Sequence, residues 1–207
     1  MFRILTIDDH EVVRDGVKGI FAPDAAEFGE ARSGIEALEL VRRSDWDVAV
    51  LDISLGGRSG LEVLKEIKEL RPRLPVLMLS MHAEEQYAVR AFKAGAAGYI
   101  SKSSSRDELR AAILKVIDGG RYVSPALAEQ MAVDLSGSDK PPHQILSDRE
   151  LQVLCLIASG KTVGEIATQL SLSDKTISTY RRRILDKMGM KTSAELTHYA
   201  IRNNLVD

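Results

Sequence analysis

The chain has little cysteine and no long apolar run. A single cysteine, Cys155, among 207 residues excludes an internal disulfide and is typical of a reducing, cytoplasmic environment. It lies in an apolar stretch, so we expect an inert core thiol. No apolar run approaches the roughly 18 residues of a membrane span, and the first residues lack the apolar core of a signal peptide. We therefore expect a cytoplasmic protein without a membrane partner.

Charge is nearly balanced over the whole chain but is divided unevenly along it. The formal net charge is −2; residues 1–120 carry 17 basic and 20 acidic side chains, whereas residues 145–207 carry 9 basic and 7 acidic ones. The basic excess is concentrated in the segment YRRRILDK. By charge alone, such a cluster is either a solvated face or a contact surface for nucleic acid.

Short apolar runs alternate with helix-period stretches through the first 120 residues. The runs FRILTI, DVAVLDI, PVLMLS and GYIS predict strands, with a weaker one at EFGEA. The predicted helices are Glu11–Phe21, Gly34–Arg43, 61–70, 84–94 and Arg106–Ile117. Runs such as VAVLDI are apolar on both faces, as strands covered by helices on each side must be. Five β–α units predict a doubly wound α/β domain with a five-stranded parallel sheet.

The pattern changes after residue 120. Residues 126–133 could form one short helix, and LSGSDKPPHQ (135–144) has the composition of an exposed linker. From Ser147 onward the sequence looks helical: SDRE and TVGE have the capping-box spacing, and Ser173 and Ser193 are expected to cap two further helices. We predict an α/β domain at 1–120, a linker with a possible short helix at 121–144, and an all-α four-helix domain at 145–207.

Ionisable and polar side chains stand where the predicted strands end. Asp8 and Asp9 follow the first strand, Asp52 ends the third, Ser80 ends the fourth and Lys102 follows the fifth. Each acid alone could be a solvated loop residue, but the carboxyl ends of parallel strands share one edge of the sheet. Three carboxylates so close together need a cation, and oxygen ligands suit Mg²⁺ or Mn²⁺. A lysine beside them indicates phosphoryl chemistry.

The segments DDH, VLD, LSMH and AGAAGYISK resemble the receiver domain of two-component response regulators over about residues 1–120. The resemblance implies a CheY-like (flavodoxin-like) fold, a phosphoacceptor at Asp52 and a sensor histidine kinase as partner. It implies that Asp9 binds the cation directly, Asp8 directly or through water, and Ser54 through its backbone carbonyl. Asp52 itself would be a further ligand of the cation. The implied phosphoryl-binding and switch residues are Ser80, Tyr99 and Lys102. His10, by contrast, is expected to be solvated or capping.

The segment LSDKTISTYRRRILDKMGM predicts an amphipathic helix that starts near Asp174. Its apolar stripe consists of Ile177, Tyr180, Ile184 and Met188. Its opposite face consists of Lys175, Ser178, Thr179 and Arg182. A core-facing stripe opposite small polar and basic residues is what a helix that reads the major groove of DNA needs.

The region 144–207 resembles the LuxR/NarL-type (FixJ family) helix–turn–helix domain through four predicted helices. Within that family, KTISTYRRRI and AELTHYAIRNNLVD are similar to the GacA/UvrY-like branch. The resemblance implies double-stranded DNA and RNA polymerase as partners and a homodimer on DNA, with the last helix, from Ser193 to Asn203, as the dimer surface. Base edges would be approached by Ser178, Thr179 and Arg182. Phosphates would be contacted by Lys175, Thr176, Arg181 and Arg183.

Three functions of different classes remain open. The chain could be a transcription regulator switched by phosphorylation of Asp52, a regulator that has lost its switch and only dimerises, or a Mg²⁺-dependent phosphatase with an aspartyl nucleophile. The intact set of strand-end residues argues against the second. The haloacid dehalogenase-like version of the third needs an acid two residues after the nucleophile, where Ser54 stands. The phosphatase reading also leaves the basic helix unexplained. We therefore predict a regulator that is not an enzyme beyond its own phosphorylation and dephosphorylation.

Overall fold

The computed structural model describes residues 2–24, 26–55, 58–80, 84–124, 127–128, 141–203 and 205–206. The chain divides into two compact units, Met1–Ala132 and Val133–Asp207. Of the short helix predicted at 126–133 only residues 127 and 128 are described, and residues 135–140 of the predicted linker lie outside the described residues. The boundaries at 120 and 144 stay predictions.

The first unit is built on a five-stranded parallel sheet in the order β2-β1-β3-β4-β5. The strands are β1 (Arg3–Ile7), β2 (Glu27–Ala31), β3 (Val48–Asp52), β4 (Val76–Ser80) and β5 (Gly98–Ser101). Every residue of β3 and β4 is buried, because helices cover both faces of the sheet, and their sequences are accordingly apolar almost throughout. The predicted α/β architecture is confirmed.

Five helices whose bounds the structure describes accompany the sheet. They are α1 (Glu11–Phe21), α2 (Gly34–Arg43), α3 (Gly60–Leu70), α4 (Glu84–Lys93) and α5 (Arg106–Ile117). The predicted bounds agree with these to within one residue. The Ser33, Ser59 and Ser105 side chains each accept a hydrogen bond from a main-chain N–H of the helix that follows, which satisfies donors left free in the first turn. One core cluster buries Phe21 of α1 and Ile113 of α5 together with the sheet.

Gly60 lets α3 begin directly against the end of β3. A Cβ at this position would lie 2.0 Å from the main-chain oxygen of Asp52 and 2.8 Å from the Cα of Ile53. The Gly60 N–H donates to the carbonyl of Ile53 at 2.7 Å. The loop after β3 therefore depends on a residue without a side chain here.

The described part of the second unit contains four α-helices, as predicted. They are α6 (Asp148–Ala158), α7 (Val163–Gln169), α8 (Asp174–Met188) and α9 (Ser193–Arg202), preceded by a 3₁₀ turn at Pro142–Ile145. Their core includes Cys155, Ile177, Ile184 and Leu196, which are at most 3% exposed. No helix among the described residues is long and apolar enough to cross a membrane.

The helix starts of this unit agree with the predicted caps at three of four positions. Both capping boxes form, at α6 and at α7, and Ser173 caps α8 by accepting from the Thr176 N–H. The predicted cap at Ser193 is wrong. Thr192 caps α9 instead, because its backbone is extended whereas Ser193 is already helical, and its side chain accepts from the Glu195 N–H.

Candidate functional site: an acidic cluster and a basic helix

Residues at the ends of four strands meet at one edge of the sheet. Asp8 directly follows β1, Asp52 ends β3, Ser80 ends β4 and Lys102 directly follows β5. Asp8, Asp52 and Ser80 are at most 2% exposed. The Lys102 N–H donates to the Ser80 carbonyl at 2.7 Å, which fixes the start of the loop after β5. The edge is a buried polar cluster rather than a set of solvated loop ends.

Lys102 lies between two buried carboxylates. Its Nζ is 2.7 Å from Asp8 Oδ2 and 3.0 Å from Asp52 Oδ2. Burial lowers the pKa of Lys102, but the attraction of Asp52 and Asp8 outweighs it, so that the pKa lies above its ordinary value. The ammonium therefore stays charged, and one positive charge serves two carboxylates.

The Asp52 carboxylate is held in an environment that disfavours its charge. Burial raises its pKa, repulsion from Asp8 raises it further, and Lys102 and a hydrogen bond from the Ser54 backbone only partly oppose this. Lys102 alone does not compensate the cost of the charged Asp52 carboxylate, as expected of a group that works beside a bound cation. Ser54 thus contributes to the site through its backbone, while its carbonyl as a cation ligand stays a prediction.

The cluster fits a divalent cation. Asp8, Asp9, His10 and Asp52 each offer one ligand atom, and these atoms lie within 4.8 Å of one another. The Asp9 side chain is 36% exposed, whereas those of Asp8 and Asp52 are almost fully buried, so the site opens to solvent on the Asp9 side. A mainly carboxylate set with one open side is compatible with a hard divalent cation that keeps some of its water.

His10 takes part in this cluster, which the sequence analysis missed. Its Nδ1 lies 2.9 Å from Asp9 Oδ1 and 3.1 Å from Asp8 Oδ1. The ring is 67% exposed, in line with the expected solvation, but it makes no capping hydrogen bond to α1. Its position directly after two acids was the available signal.

Tyr99 is fully buried on β5, where it pairs in register with Met78 of β4. Its N–H donates to the carbonyl of Tyr122 at 3.2 Å, and the Tyr122 N–H donates to that of Ala97 at 3.1 Å. Tyr122 thereby extends the sheet edge beside β5. The implied role of Tyr99 as a switch residue stays a prediction.

In the second unit α8 has one buried and one exposed face. Ile177 and Ile184 are fully buried and Met188 is 8% exposed. The predicted base-reading residues Ser178, Thr179 and Arg182 are exposed, as are Lys175, Arg181 and Arg183. The structure therefore brings the small polar and basic residues together on the solvent side of one helix.

Side-chain hydrogen bonds orient two of the predicted phosphate-contacting residues, one to the start of α9 and one to the N-cap of α8. Arg181 Nε donates to Ser193 Oγ at 2.7 Å, and the hydroxyl of the half-buried Thr176 is 2.8 Å from Ser173 Oγ. A depression lined in part by Arg181 and Arg182 also includes Lys191. The sequence analysis missed Lys191 because it lies in the turn after α8, outside the helical pattern.

A parallel α/β unit with buried acids and a lysine at its strand ends, joined to a helix–turn–helix unit, defines a class of signalling proteins with a DNA-binding output. Residues 4–114 match the family described as response regulator receiver domain. Residues 144–200 match the family described as bacterial regulatory proteins, luxR family.

Two named relatives are similar to this chain over nearly its full length, and one solved structure is similar to about two thirds of it. Response regulator UvrY of Escherichia coli (strain K12) is 38% identical and covers 99% of this chain and 96% of its own. Response regulator GacA of Pseudomonas aeruginosa is 34% identical, and the similarity covers 100% of this chain and 99% of GacA. A LuxR-family two-component response regulator from Aurantimonas sp. SI85-9A1 has a TM-score of 0.60, is 33% identical, and covers 66% of this chain and 99% of its own.

The chain belongs to the two-component response regulators with a receiver and a LuxR-type DNA-binding domain. Both predicted resemblances, including that to UvrY and GacA, are confirmed. Members of this family are mainly transcription regulators rather than catalytic enzymes, so the phosphatase hypothesis is dropped.

Proposed function

We propose that this protein is a phosphorylation-switched transcription regulator of the cytoplasm. A sensor histidine kinase transfers a phosphoryl group to Asp52, and the phosphorylated form dimerises, binds paired DNA half-sites in a sequence-specific manner and contacts RNA polymerase. The observation that carries the proposal is Lys102 Nζ lying within 3.0 Å of both Asp8 and Asp52. A single ammonium between two buried acids is ready to hold a third anionic group, the phosphoryl oxygens.

In the transfer step an Asp52 oxygen attacks phosphorus, an acyl phosphate bond forms, and the bond from phosphorus to the donor breaks with its electron pair leaving on the donor. Lys102 moves from its carboxylate partners to a phosphoryl oxygen, and the Ser80 hydroxyl donates to another. Asp8, Asp9 and the Ser54 carbonyl would hold Mg²⁺ or Mn²⁺, which when bound neutralises the charge that develops on the phosphoryl group. Hydrolysis of the acyl phosphate resets the switch.

The DNA-binding surface in this proposal is the exposed face of α8. Ser178, Thr179 and Arg182 read base edges. The phosphate contacts are made by Lys175, Thr176, Arg181 and Arg183. Helix α9 supplies the dimer surface, where Ile201 is a large apolar side chain that is 53% exposed. Two copies joined in this way raise the effective concentration of the second domain at its half-site.

The phosphorylation step is tested with acetyl phosphate, followed by intact-protein mass spectrometry. The wild-type chain should gain one phosphoryl group with Mg²⁺ and none in excess EDTA, and Asp52→Asn should gain none. The matched control is Asp45→Asn, which removes an acid that precedes the same strand, is 85% exposed and lies 3.5 Å from Arg71. The control should be phosphorylated like the wild type; equal labelling of Asp52→Asn would refute the phosphoacceptor assignment.

The switch itself is tested by fluorescence anisotropy on a duplex selected from a random pool. Phosphorylated full-length protein should bind more tightly than unphosphorylated protein, and Asp52→Asn should not respond to the donor. If stoichiometric phosphorylation leaves the affinity unchanged, the dimerisation-only alternative replaces the switch.

A further inference from the structure

Arg14 is a buried basic residue next to the acidic cluster that the proposed function does not use. It lies in the second turn of α1, and its side chain is only 3% exposed. Its Nη1 donates to the main-chain carbonyl of Asp8 at 2.8 Å, and its Nε donates to Glu30 Oε2 at 3.1 Å. Side chains of a helix lean toward its N-terminus, which allows Arg14 to reach back to Asp8, the residue that directly follows β1.

The contact with Arg14 completes the fixation of Asp8. The Asp8 N–H donates to the carbonyl of Ala31 at 3.0 Å, and its Oδ1 accepts from the His10 N–H at 2.9 Å. With its carbonyl held by Arg14, each main-chain polar group of Asp8 has a partner. The second carboxylate oxygen, Oδ2, is left facing Lys102 at 2.7 Å. The orientation of the Asp8 carboxylate is therefore fixed by the main-chain contacts of Asp8 as well as by Lys102.

Glu30 in turn fixes the guanidinium. It lies on β2, in register with Thr6 of β1, and its other oxygen is 2.5 Å from Lys18 Nζ. The hydrogen bond from Lys18, with a smaller contribution from Arg14, keeps the pKa of Glu30 below its usual range. The charge of Arg14 is thus paired with a carboxylate on the side away from the acidic cluster.

We propose that Arg14 is a positioning residue for the cation site: it holds the end of β1 so that Asp8 and Asp9 present their carboxylates to one cation beside Asp52. The inference rests on the proposed function. Replacing residues that orient metal ligands costs about 10–100-fold in metal affinity. Because Arg14 acts on the main chain of Asp8, we expect a change at the lower end of that range.

Two substitutions separate positioning from a simple charge effect. Arg14→Gln removes a positive charge near the cluster, and Glu30→Gln removes a negative one. Long-range electrostatics would make cation binding tighter in the first variant and weaker in the second. If Arg14 positions Asp8, cation binding is instead weaker in both variants. The Kd for Mn²⁺, measured by electron paramagnetic resonance of the free ion, should rise about tenfold in Arg14→Gln and about threefold in Glu30→Gln.

Arg110 provides a matched control in the same unit. Its guanidinium also joins a carboxylate to a main-chain carbonyl, since Nη1 donates to Asp24 Oδ2 at 2.5 Å and to the Ile20 carbonyl at 3.2 Å. Neither partner belongs to the acidic cluster. Arg110→Gln should therefore leave the Kd for Mn²⁺ unchanged.

Each outcome decides the inference. A wild-type Kd in Arg14→Gln, or shifts of opposite sign in the two variants, overturns it. If Arg14→Gln does not fold, as reported by Trp46 fluorescence, the charge-preserving Arg14→Lys takes its place. Because the charge is kept, an unchanged Kd for Mn²⁺ in Arg14→Lys overturns the inference. A wild-type chain that binds no Mn²⁺ and is not phosphorylated would instead refute the proposed function, and the inference with it.

Discussion

The ion pair between Glu150 and Lys187 should stabilise the second unit by connecting α6 to α8. Lys187 Nζ lies 2.6 Å from Glu150 Oε2, and the two side chains are 42% and 4% exposed. The same oxygen accepts from the Ser147 N–H at 2.7 Å. A hydrogen bond between charged groups contributes about 1.5–3 kcal/mol, and solvent at the half-exposed ammonium reduces this to about 1–2 kcal/mol. Lys187→Met should lower the free energy of unfolding by that amount.

The pH dependence has a definite sign. Burial raises the pKa of Glu150, but the hydrogen bonds from Lys187 and Ser147 outweigh it, so that the folded-state pKa lies below the ordinary value of 4.5. A lowered carboxyl pKa contributes stability that is fully present above the unfolded-state pKa and is lost as the pH falls through the folded-state pKa. The difference between wild type and Lys187→Met should therefore be constant at neutral pH and shrink below pH 4.5.

Urea unfolding followed by two probes measures the effect in the full-length protein. Trp46, the only tryptophan, reports the first unit, and far-ultraviolet circular dichroism reports both. Lys187→Met should leave the Trp46 transition of the first unit unchanged. It should lower the urea midpoint of the second unit, seen by circular dichroism alone, by about 1 M. The control is Asp186→Asn on the same helix, whose pairing with Arg182 spans 4.0 Å between mostly exposed side chains. If Lys187→Met costs no more than this control, the reasoning from burial is wrong.

Three further predictions concern the fold, the cation site and the DNA surface. Gly60→Ala should lower the stability of the first unit by about 1–3 kcal/mol through the clash at the end of β3. Gly16→Ala, with open space around the added methyl group, should be neutral or stabilising by about 0.5–1 kcal/mol. Urea midpoints from Trp46 fluorescence compare the stability of the two variants. Mg²⁺ at 100 times its Kd should stabilise the first unit by about 2.7 kcal/mol, and EDTA should reverse this; a transition insensitive to both would contradict the cation site. In anisotropy titrations over a range of salt, Arg182→Ala should cost about 1–3 kcal/mol of binding free energy on the selected duplex and relax specificity at one position. Lys175→Ala should weaken binding to all duplexes alike and reduce the salt slope by about one. Unchanged binding in both variants would exclude α8 as the recognition helix.

Most of the fold and the centre of the candidate site could be predicted because their signals are local. Helix α1 follows from one apolar face repeated every 3.6 residues, and β3 from an unbroken apolar run. Asp8, Asp52 and Lys102 stand out because each directly ends or follows such a run. Parallel strands bring their carboxyl ends to one edge, so that convergence needs no knowledge of the strand order.

Only the tertiary structure decided which side chains meet across the chain. Nothing near Arg14 in the sequence indicates that Glu30, 16 residues away, is its partner, and Lys187 and Glu150 are 37 residues apart. Thr192 rather than Ser193 caps α9 because of a backbone conformation that neighbouring residues of similar chemistry could both adopt. Periodicity and capping chemistry record what a residue does within its own helix or strand. The partners of a charged side chain depend on how those elements pack, which a single sequence does not encode locally.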